Sequence, residues 1–160
     1  MNGPMDGPIG CFSGRFDPPN LGHVLTILEL LQTYETLLIP ILDYEDRALP
    51  ADDACRIFWA FAERAKIEKR VQFFVNNVHF GKISWEQYSQ VCDPYQPEVV
   101  RYLSGNVRCL QHMRTIGARV AHVPRVTIPG IDQEQFSSTS VRRVMANIPL
   151  EKYYNISVAS

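Results

Sequence analysis

Residues 9–23 read IGCFSGRFDPPNLGH, and this stretch passes from an apolar run through a stiff turn into the start of a helix. The apolar run at 9–13 predicts a first strand, and Gly14 directly after it lets a ligand approach the backbone closely. The two prolines at 18–19 stiffen the turn and remove two backbone donors. Leucines at helical spacing predict an amphipathic helix over 23–32. Strand, turn and helix in this order predict the first unit of an α/β fold.

The same alternation continues along the rest of the chain. Apolar runs predict four further strands, at 36–42, 71–75, 99–103 and 118–123. Amphipathic stretches predict four further helices, at 54–65, 84–90, 107–116 and 138–146. We therefore predict a Rossmann-like, doubly wound sheet of five parallel strands with helices on both faces.

A few residues mark the expected boundaries of these elements. Pro40 predicts that the second strand stops pairing there, because proline lacks the N–H that a ladder needs. Asp52 or Asp53 is the expected N-cap of the second helix. Ser84 is the expected N-cap of the third helix, and Gly117 is the expected C′ residue of the fourth.

Length, charge and cysteine content bound the class of protein. The 160 residues fit one domain, with 1–8 as a Gly/Pro-rich flexible leader and 9–160 as the folded part. The net charge of −1 gives no overall basic field, so nucleic acid and membranes are not expected partners. The four cysteines include no CxxC pair, which favours reduced core thiols and a cytoplasmic protein. No apolar run approaches the roughly 20 residues of a membrane span.

Polar, glycine and proline residues follow three of the predicted strands. These segments are Ser-Gly at 13–14, Ser-Gly-Asn at 104–106 and Pro-Arg at 124–125. In open α/β sheets, ligands bind beyond the carboxyl ends of the strands, where the strand order reverses. We therefore expect a ligand site at that edge of the sheet.

The start of the first helix is rich in hydrogen-bond donors. Backbone N–H groups and the helix dipole near Gly22 favour an anion. Asn20 and His23 add side-chain donors at the same place. This arrangement predicts a phosphate site, although the G-x-G-x-x-G and G-x-x-x-x-G-K-[ST] patterns are both absent from the sequence.

A second donor-rich helix start is predicted near the end of the chain. Three hydroxyl residues at 137–139 precede the last predicted helix, and Arg142 follows one turn in. Hydroxyls at a helix start are typical of ordinary N-capping. Together with an arginine they also form an anion cradle, because a guanidinium holds phosphate oxygens bidentately. Two such turns favour an enzyme that holds a nucleoside triphosphate from two sides.

Both turns resemble motifs of one family. Residues 14–23 are similar to the G-x-F-x-P-x-H-x-G-H motif of the HxGH nucleotidyltransferase superfamily, with Asn20 in place of the first histidine. Residues 136–142, FSSTSVR, are similar to the Ile-Ser-Ser-Thr-x-Ile-Arg motif of the same superfamily. The chain thus resembles this cytidylyltransferase-like superfamily, and it is most similar to the nicotinamide and nicotinate mononucleotide adenylyltransferases.

The resemblance implies a reaction and a set of site residues. A nucleotidyl group, above all AMP from ATP, would pass to a small phosphorylated acceptor such as nicotinamide or nicotinate mononucleotide, with release of pyrophosphate. Mg²⁺ would be held by the bound phosphates, with no protein metal ligands. The implied catalytic residues are His23, Asn20 and Arg142. The implied nucleotide ligands are Ser13, Gly14, Arg15, Phe16, Gly22, Gly105, Asn106, Pro124, Phe136, Ser137, Ser138 and Thr139. The implied substrate ligands are Arg47, Asn76 and Trp85.

Other functions fit the same motifs. The resemblance also covers CTP-dependent cytidylyltransferases and phosphopantetheine-type adenylyltransferases. A degenerate module that binds a nucleotide without turning it over is a third alternative, because Asn20 and Asn106 stand where the family has a histidine and an acidic residue. A homo-oligomer is left open.

Overall fold

The computed structural model describes residues 8–124. The strands are β1 (Ile9–Phe12), β2 (Thr36–Leu42), β3 (Val71–Asn76), β4 (Val100–Ser104) and β5 (Arg119–His122). The helices are α1 (Leu21–Leu30), α2 (Ala51–Ala65), α3 (Trp85–Cys92) and α4 (Val107–Thr115), and a 3-10 turn at Pro97–Val99 precedes β4. The predicted last helix at 138–146 and nearly all of the predicted leader lie outside the described residues.

All five strands join one parallel sheet in the order β3-β2-β1-β4-β5. β1 lies at its centre, where Cys11 is opposite Leu38 of β2 and Tyr102 of β4. The strand order reverses at β1, because the chain first adds β2 and β3 on one side and then β4 and β5 on the other. The predicted Rossmann-like α/β fold class is confirmed.

Helices cover both faces of the sheet, because alternate residues of a strand point to opposite sides. On one face Leu37 of β2 belongs to a core with Ile27 of α1 and Phe58 of α2. On the other face Leu38 belongs to a core with residues of α3 and α4, among them Met113. β2 is therefore buried on both sides, which explains its continuous apolar sequence.

The prediction that β2 stops pairing at Pro40 is wrong. β2 runs to Leu42, and Pro40 lies opposite Phe74 of β3. The ladder between β1 and β2 ends at Leu38, after which the Leu42 N–H donates to the Gly14 carbonyl at 3.1 Å. Alternate residues of a parallel strand bond to opposite neighbours, so the N–H of residue 40 would point to the same side as that of Leu42, towards β1. The ladder with β1 ends at Leu38, and pairing with β3 does not use that N–H.

Two predicted helix boundaries are confirmed and one is wrong. α2 has Pro50 as its N-cap residue and no side-chain cap, so the predicted N-cap at Asp52 or Asp53 is wrong. Both aspartates lie in the first turn instead, where the helix dipole favours negative charge. Ser84 caps α3 in a capping box, and Gly117 follows α4 with a φ of 100°.

All four cysteines are free thiols. Cys11, Cys92 and Cys109 are free and buried, and Cys55 is free and partly exposed. Within residues 8–124, no helix is long and apolar enough to cross a membrane.

Candidate active site

A cavity of about 270 Å³ opens at the carboxyl ends of the strands. Its wall includes segments at or after the ends of β1, β2, β3 and β4. The predicted site residues that line it are Ser13, Gly14, Arg15, Gly105 and Asn106. The cavity therefore lies at the predicted edge of the sheet, beside the strand where the order reverses.

Asn20 and His23 form a reciprocal pair at the start of α1. The Asn20 Oδ1 accepts the His23 N–H at 3.2 Å, and the Asn20 N–H donates to His23 Nδ1 at 3.1 Å. Because Nδ1 accepts a hydrogen bond, a neutral imidazole carries its proton on Nε2 and donates from that atom. Asn20 and His23 are not among the residues that line the cavity, so this pair and the cavity are separate parts of the same edge.

Phe16 supports the turn between β1 and α1 from inside the core. Its backbone has a φ of 48°, in the left-handed region, and its side chain is only 2% exposed. The ring centroid lies 4.8 Å from that of His23 in an edge-to-face contact, and 5.1 Å from that of Phe58. Phe16 was predicted as a nucleotide ligand, but its side chain packs in the core and does not line the cavity.

Asp17 ties the same turn to the loop after β2. Its carboxylate is fully buried and accepts the Ala48 N–H at 2.9 Å and the Leu49 N–H at 2.8 Å. The Tyr44 hydroxyl also donates to it. These bonds satisfy a buried charge and fix the turn against residues about 30 positions away, as buried polar groups require.

Arg47 belongs to the same loop contact. Its side chain is 3% exposed and lies 3.9 Å from the Asp17 carboxylate. Burial lowers the pKa of Arg47, and the Asp17 charge opposes that change. Its guanidinium donates to the backbone carbonyls of Arg15, Phe16, Leu42 and Leu49. These bonds occupy donors that a phosphate would need, and the predicted substrate role of Arg47 stays a prediction.

Arg15 is the cation of the cavity wall. Its side chain is exposed, and its guanidinium carbon lies 5.3 Å from the centre of the Tyr44 ring. That distance is typical of a cation–π contact, which restrains the guanidinium without using its N–H donors. Arg15 is therefore held in place beside the cavity with donors left for an anion.

The β4 side of the cavity is built around a helix cap. Asn106 is the N-cap of α4, and its Oδ1 accepts the Cys109 N–H at 3.2 Å. The Asn106 N–H donates to Ser104 Oγ at 3.0 Å. A Cβ on Gly105 would lie 3.1 Å from the Val123 carbonyl oxygen, so the backbone here is closely packed against the strand end. Asn106 thus shapes the wall while it caps the helix.

Ser13 is oriented by a buried phenol. Its Oγ lies 2.6 Å from the Tyr102 hydroxyl oxygen, and Tyr102 is fully buried. Burial raises the pKa of Tyr102, so the phenol stays protonated at neutral pH. The hydroxyl of Ser13 is therefore held at the cavity wall by a neutral partner.

Asn76 and Trp85 do not line the cavity. Asn76 closes the turn after β3, because its Nδ2 donates to the Val78 carbonyl at 2.7 Å and its Oδ1 accepts the Val78 N–H at 3.3 Å. Trp85 begins α3, and its ring centroid lies 5.9 Å from that of Tyr88 in the second core. Both residues have structural contacts here, and their role as substrate ligands stays a prediction.

Sequence reasoning missed several residues of the cavity wall. Ser104 begins the Ser-Gly-Asn segment expected at this edge but was not predicted as a ligand; the others are Pro40, Leu42, His79, Phe80 and Cys109. None of them belongs to a motif. The one available signal was position, since His79 and Phe80 follow the third strand and therefore reach the edge at which the site was expected.

The remaining predicted site residues lie in α1, at the end of the described range or outside it. Gly22 lies in the first turn of α1, and Pro124 is the last described residue. The predicted residues Phe136, Ser137, Ser138, Thr139 and Arg142 lie outside the described range. Between residues 8 and 124, no three His, Cys, Asp or Glu side chains come together in a group that could hold a metal ion.

Comparison with known proteins gives similar folds without close relatives. No family model and no curated protein matches the chain. A bifunctional NMN adenylyltransferase/ADP ribose pyrophosphatase from Francisella tularensis, solved with AMP and a manganese ion, has a TM-score of 0.59 at 13% identity, over 96% of this chain and 52% of that chain. Plasmodium falciparum nicotinic acid mononucleotide adenylyltransferase has a TM-score of 0.54 at 12% identity, over 94% of both chains. NadR protein, solved with NAD and AMP-PNP, has a TM-score of 0.56 at 17% identity, over 86% of this chain and 42% of that chain.

The chain has the fold of these proteins. It spans about half the length of the Francisella chains that it matches. The shared fold agrees with the family resemblance of residues 14–23, and at these identities it concerns architecture alone.

Proposed function

We propose that this protein is a nucleotidyltransferase that transfers AMP from ATP to a small phosphomonoester, such as nicotinamide or nicotinate mononucleotide. The observation that carries the proposal is the Asn20–His23 pair. It fixes the imidazole tautomer with its proton on Nε2, at a helix N-terminus whose dipole also favours phosphate. The similarity of residues 14–23 to the HxGH motif and the fold shared with adenylyltransferases support the same function.

The proposed reaction is an in-line displacement at phosphorus. A phosphate oxygen of the acceptor forms a bond to the α-phosphorus of ATP, the bond from that phosphorus to the bridging oxygen breaks, and pyrophosphate leaves. The attacking oxygen is already anionic, so the protein needs neither a covalent nucleophile nor a strong base. Catalysis then consists of positioning and charge stabilisation.

In this proposal the two donor-rich turns divide the triphosphate between them. His23 donates from Nε2 to an oxygen of the α- or β-phosphate, and the first N–H groups of α1 stabilise the same charge. Ser138, Thr139 and Arg142 hold the phosphates that leave as pyrophosphate. Arg15, which follows β1 and lines the cavity, contributes a cation.

Mg²⁺ is the proposed cofactor. When bound, it neutralises charge on the phosphate oxygens. Mg²⁺ keeps several waters and is commonly bound through substrate phosphates with few protein ligands. The described part of the chain fits that mode, because it offers hydroxyls and amides around the cavity and no cluster of carboxylates.

A non-catalytic nucleotide-binding module is the second candidate. The observation that favours it is the use of Asn20, whose Oδ1 serves as the helix cap and whose amide carries no charge. Such a module would bind ATP with no transfer to any acceptor.

A pyrophosphate-release assay tests the proposal. The full chain is incubated with ATP or CTP, Mg²⁺ and each mononucleotide acceptor, and we expect release with ATP that depends on the acceptor. His23→Ala should abolish release while the protein still unfolds cooperatively. Arg56→Ala is the control, because this exposed side chain on α2 pairs with Asp53 at 3.5 Å and does not line the cavity.

The outcomes separate the candidates. Release with CTP in place of ATP would assign the cytidylyltransferase alternative. Tight ATP binding without pyrophosphate from any acceptor would assign the binding module. Near-normal release by His23→Ala would contradict the proposed role of the imidazole.

A further inference from the structure

His79 is a second imidazole with a fixed tautomer at this edge of the sheet. It lies in the turn after β3, where its Nδ1 accepts the Gly81 N–H at 2.9 Å. A neutral ring therefore carries its proton on Nε2. A Cβ on Gly81 would lie 2.9 Å from Nδ1 and 3.1 Å from Cε1, so the ring is held close against the glycine backbone.

The cavity that His79 lines has the character of an anion site. Arg15, Ser13 and Asn106 line the same cavity, and no carboxylate occurs among the described residues that do so. Burial lowers the pKa of His79, and the positive charges of Arg15 and Lys82 lower it further. Among residues 8–124, the charged groups that shift this pKa are thus both cations.

An anion bound between Arg15 and His79 would offset the repulsion between the neighbouring cations and a protonated imidazole. Without one, two cations disfavour the charged imidazole, and the neutral ring has Nε2 as its one donor atom. With one, the charge repulsion that disfavours the imidazolium is replaced by attraction, and both side chains donate to the same ligand.

We propose that His79 is a ligand-binding residue that donates from Nε2 to a phosphoryl oxygen of the ligand in the cavity, with Arg15 as its cationic partner. This inference rests on the proposed function, because that function places phosphorylated ligands at this edge. The phosphoryl group belongs either to the acceptor or to the nucleoside triphosphate.

Two substitutions separate ligand binding from a structural role. Asn at position 79 keeps an acceptor near the place of Nδ1 for the Gly81 N–H but has no donor at the place of Nε2. Gln at position 79 carries a donor out to the place of Nε2 but loses the acceptor. If His79 binds phosphate, His79→Asn should weaken binding by about tenfold or more, the range for a hydrogen bond to a charged group, and His79→Gln should retain more affinity. If His79 only accepts the Gly81 N–H, His79→Asn should keep more affinity than His79→Gln.

Calorimetric titration of the full chain with three probes identifies the source of the phosphate. The probes are nicotinate mononucleotide, α,β-methylene ATP and inorganic phosphate. A loss confined to the mononucleotide assigns the acceptor, and a loss confined to the ATP analogue assigns the triphosphate. Equal affinities of wild type, His79→Asn and His79→Gln for all three probes would overturn the proposal.

Proton NMR of the histidine rings gives a second readout. The protein has four histidines, and the His79 resonance is the one that disappears in His79→Asn. Saturation with the probe that binds should raise the pKa of His79 by about 1, as an adjacent opposite charge does. An unchanged His79 titration curve at saturation would overturn the proposal.

The design distinguishes failure of this inference from failure of the proposed function. If wild type binds and turns over ATP while the His79 variants match it, only the role of His79 fails. If wild type binds none of the three probes and releases no pyrophosphate, both fail.

Discussion

Asp17 and Arg47 lie 3.9 Å apart, with almost no solvent exposure of either side chain, between the turn after β1 and the loop after β2. A buried ion pair contributes little unless the remaining donors and acceptors are also satisfied. Here Asp17 accepts two backbone N–H groups and Arg47 donates to four carbonyls. The pair therefore fixes the turn that leads to Asn20 and His23.

The first prediction concerns Arg47. Arg47→Lys should destabilise the protein by about 1–3 kcal/mol, because a lysine ammonium cannot reach the carbonyls that the planar guanidinium joins. Arg47→Ala should cost more, about 3–5 kcal/mol, because it removes the guanidinium from beside the buried Asp17 carboxylate. Urea unfolding measures both free energies.

Arg56→Ala is the matched control for this prediction. The Arg56 side chain is 77% exposed, and its removal should change stability by no more than about 0.5 kcal/mol. An Arg47→Lys protein of native stability with weakened mononucleotide binding would contradict the structural role and restore the ligand role.

The second prediction separates the two roles of Asn20. Asn20→Ala should destabilise the protein by about 1 kcal/mol, because the His23 N–H loses its cap. Asn20→Asp keeps an acceptor for that N–H, so the stability should stay near native. Its negative charge should nonetheless weaken ATP binding, which calorimetry measures. If Asn20→Asp binds ATP with native affinity, ATP does not place a phosphate at the start of α1.

The sequence predicts those features that depend on a single strand, helix or turn. The strands, the sheet edge and the caps at Ser84 and Gly117 follow from periodicity and local chemistry within a few residues. The prediction for Pro40 is wrong because a proline interrupts pairing only with the neighbouring strand that its N–H would face. The strand order of the sheet decides which neighbour that is, and the sequence of β2 alone does not show it.

The roles of Arg47 and His79 could not be read from the sequence. Arg47 bonds to carbonyls of residues 15 and 16, which are 32 and 31 positions away. His79 reaches the cavity through a turn shaped by Asn76, and an isolated histidine outside any motif gives no sign of that. Contacts between distant segments decide both positions.

The third prediction concerns alkaline pH. Burial raises the pKa of Cys92 to about 12 and that of Cys55 to about 11, against an ordinary value of 9.0. A raised pKa in the folded state means that the stability contribution is complete below about pH 9, the pKa of the unfolded thiols, and is lost as the pH rises towards the folded values. Urea unfolding at pH 7, 9 and 10.5 should show falling stability above pH 9.

Thiol variants identify the source of this pH dependence. Cys92→Ala should flatten the alkaline decline relative to wild type, because it removes one group that ionises in the unfolded state alone. It should also lower stability at pH 7, since it leaves a small cavity beside Tyr88 in the second core. An alkaline decline of undiminished slope in Cys92→Ala would assign the effect to other groups.

The fourth prediction concerns Gly14, whose missing side chain makes room for Phe16. A Cβ on Gly14 would lie 2.8 Å from Phe16 Cζ, and the ring is wedged against His23 and Phe58. Gly14→Ala should therefore destabilise the protein by about 1–3 kcal/mol, as overpacking does. Because the displaced ring must push His23, pyrophosphate release should fall even under conditions where the variant is fully folded.

Gly117→Ala distinguishes this effect from a general loss of stability. No atom lies within 4 Å of a Cβ at position 117, but the φ of 100° makes any side chain strained there. It should therefore cost about 1–3 kcal/mol through backbone strain alone and leave the activity of the folded protein unchanged. If Gly14→Ala and Gly117→Ala lose stability alike and both keep native kcat, the packing of Phe16 on His23 does not position the imidazole.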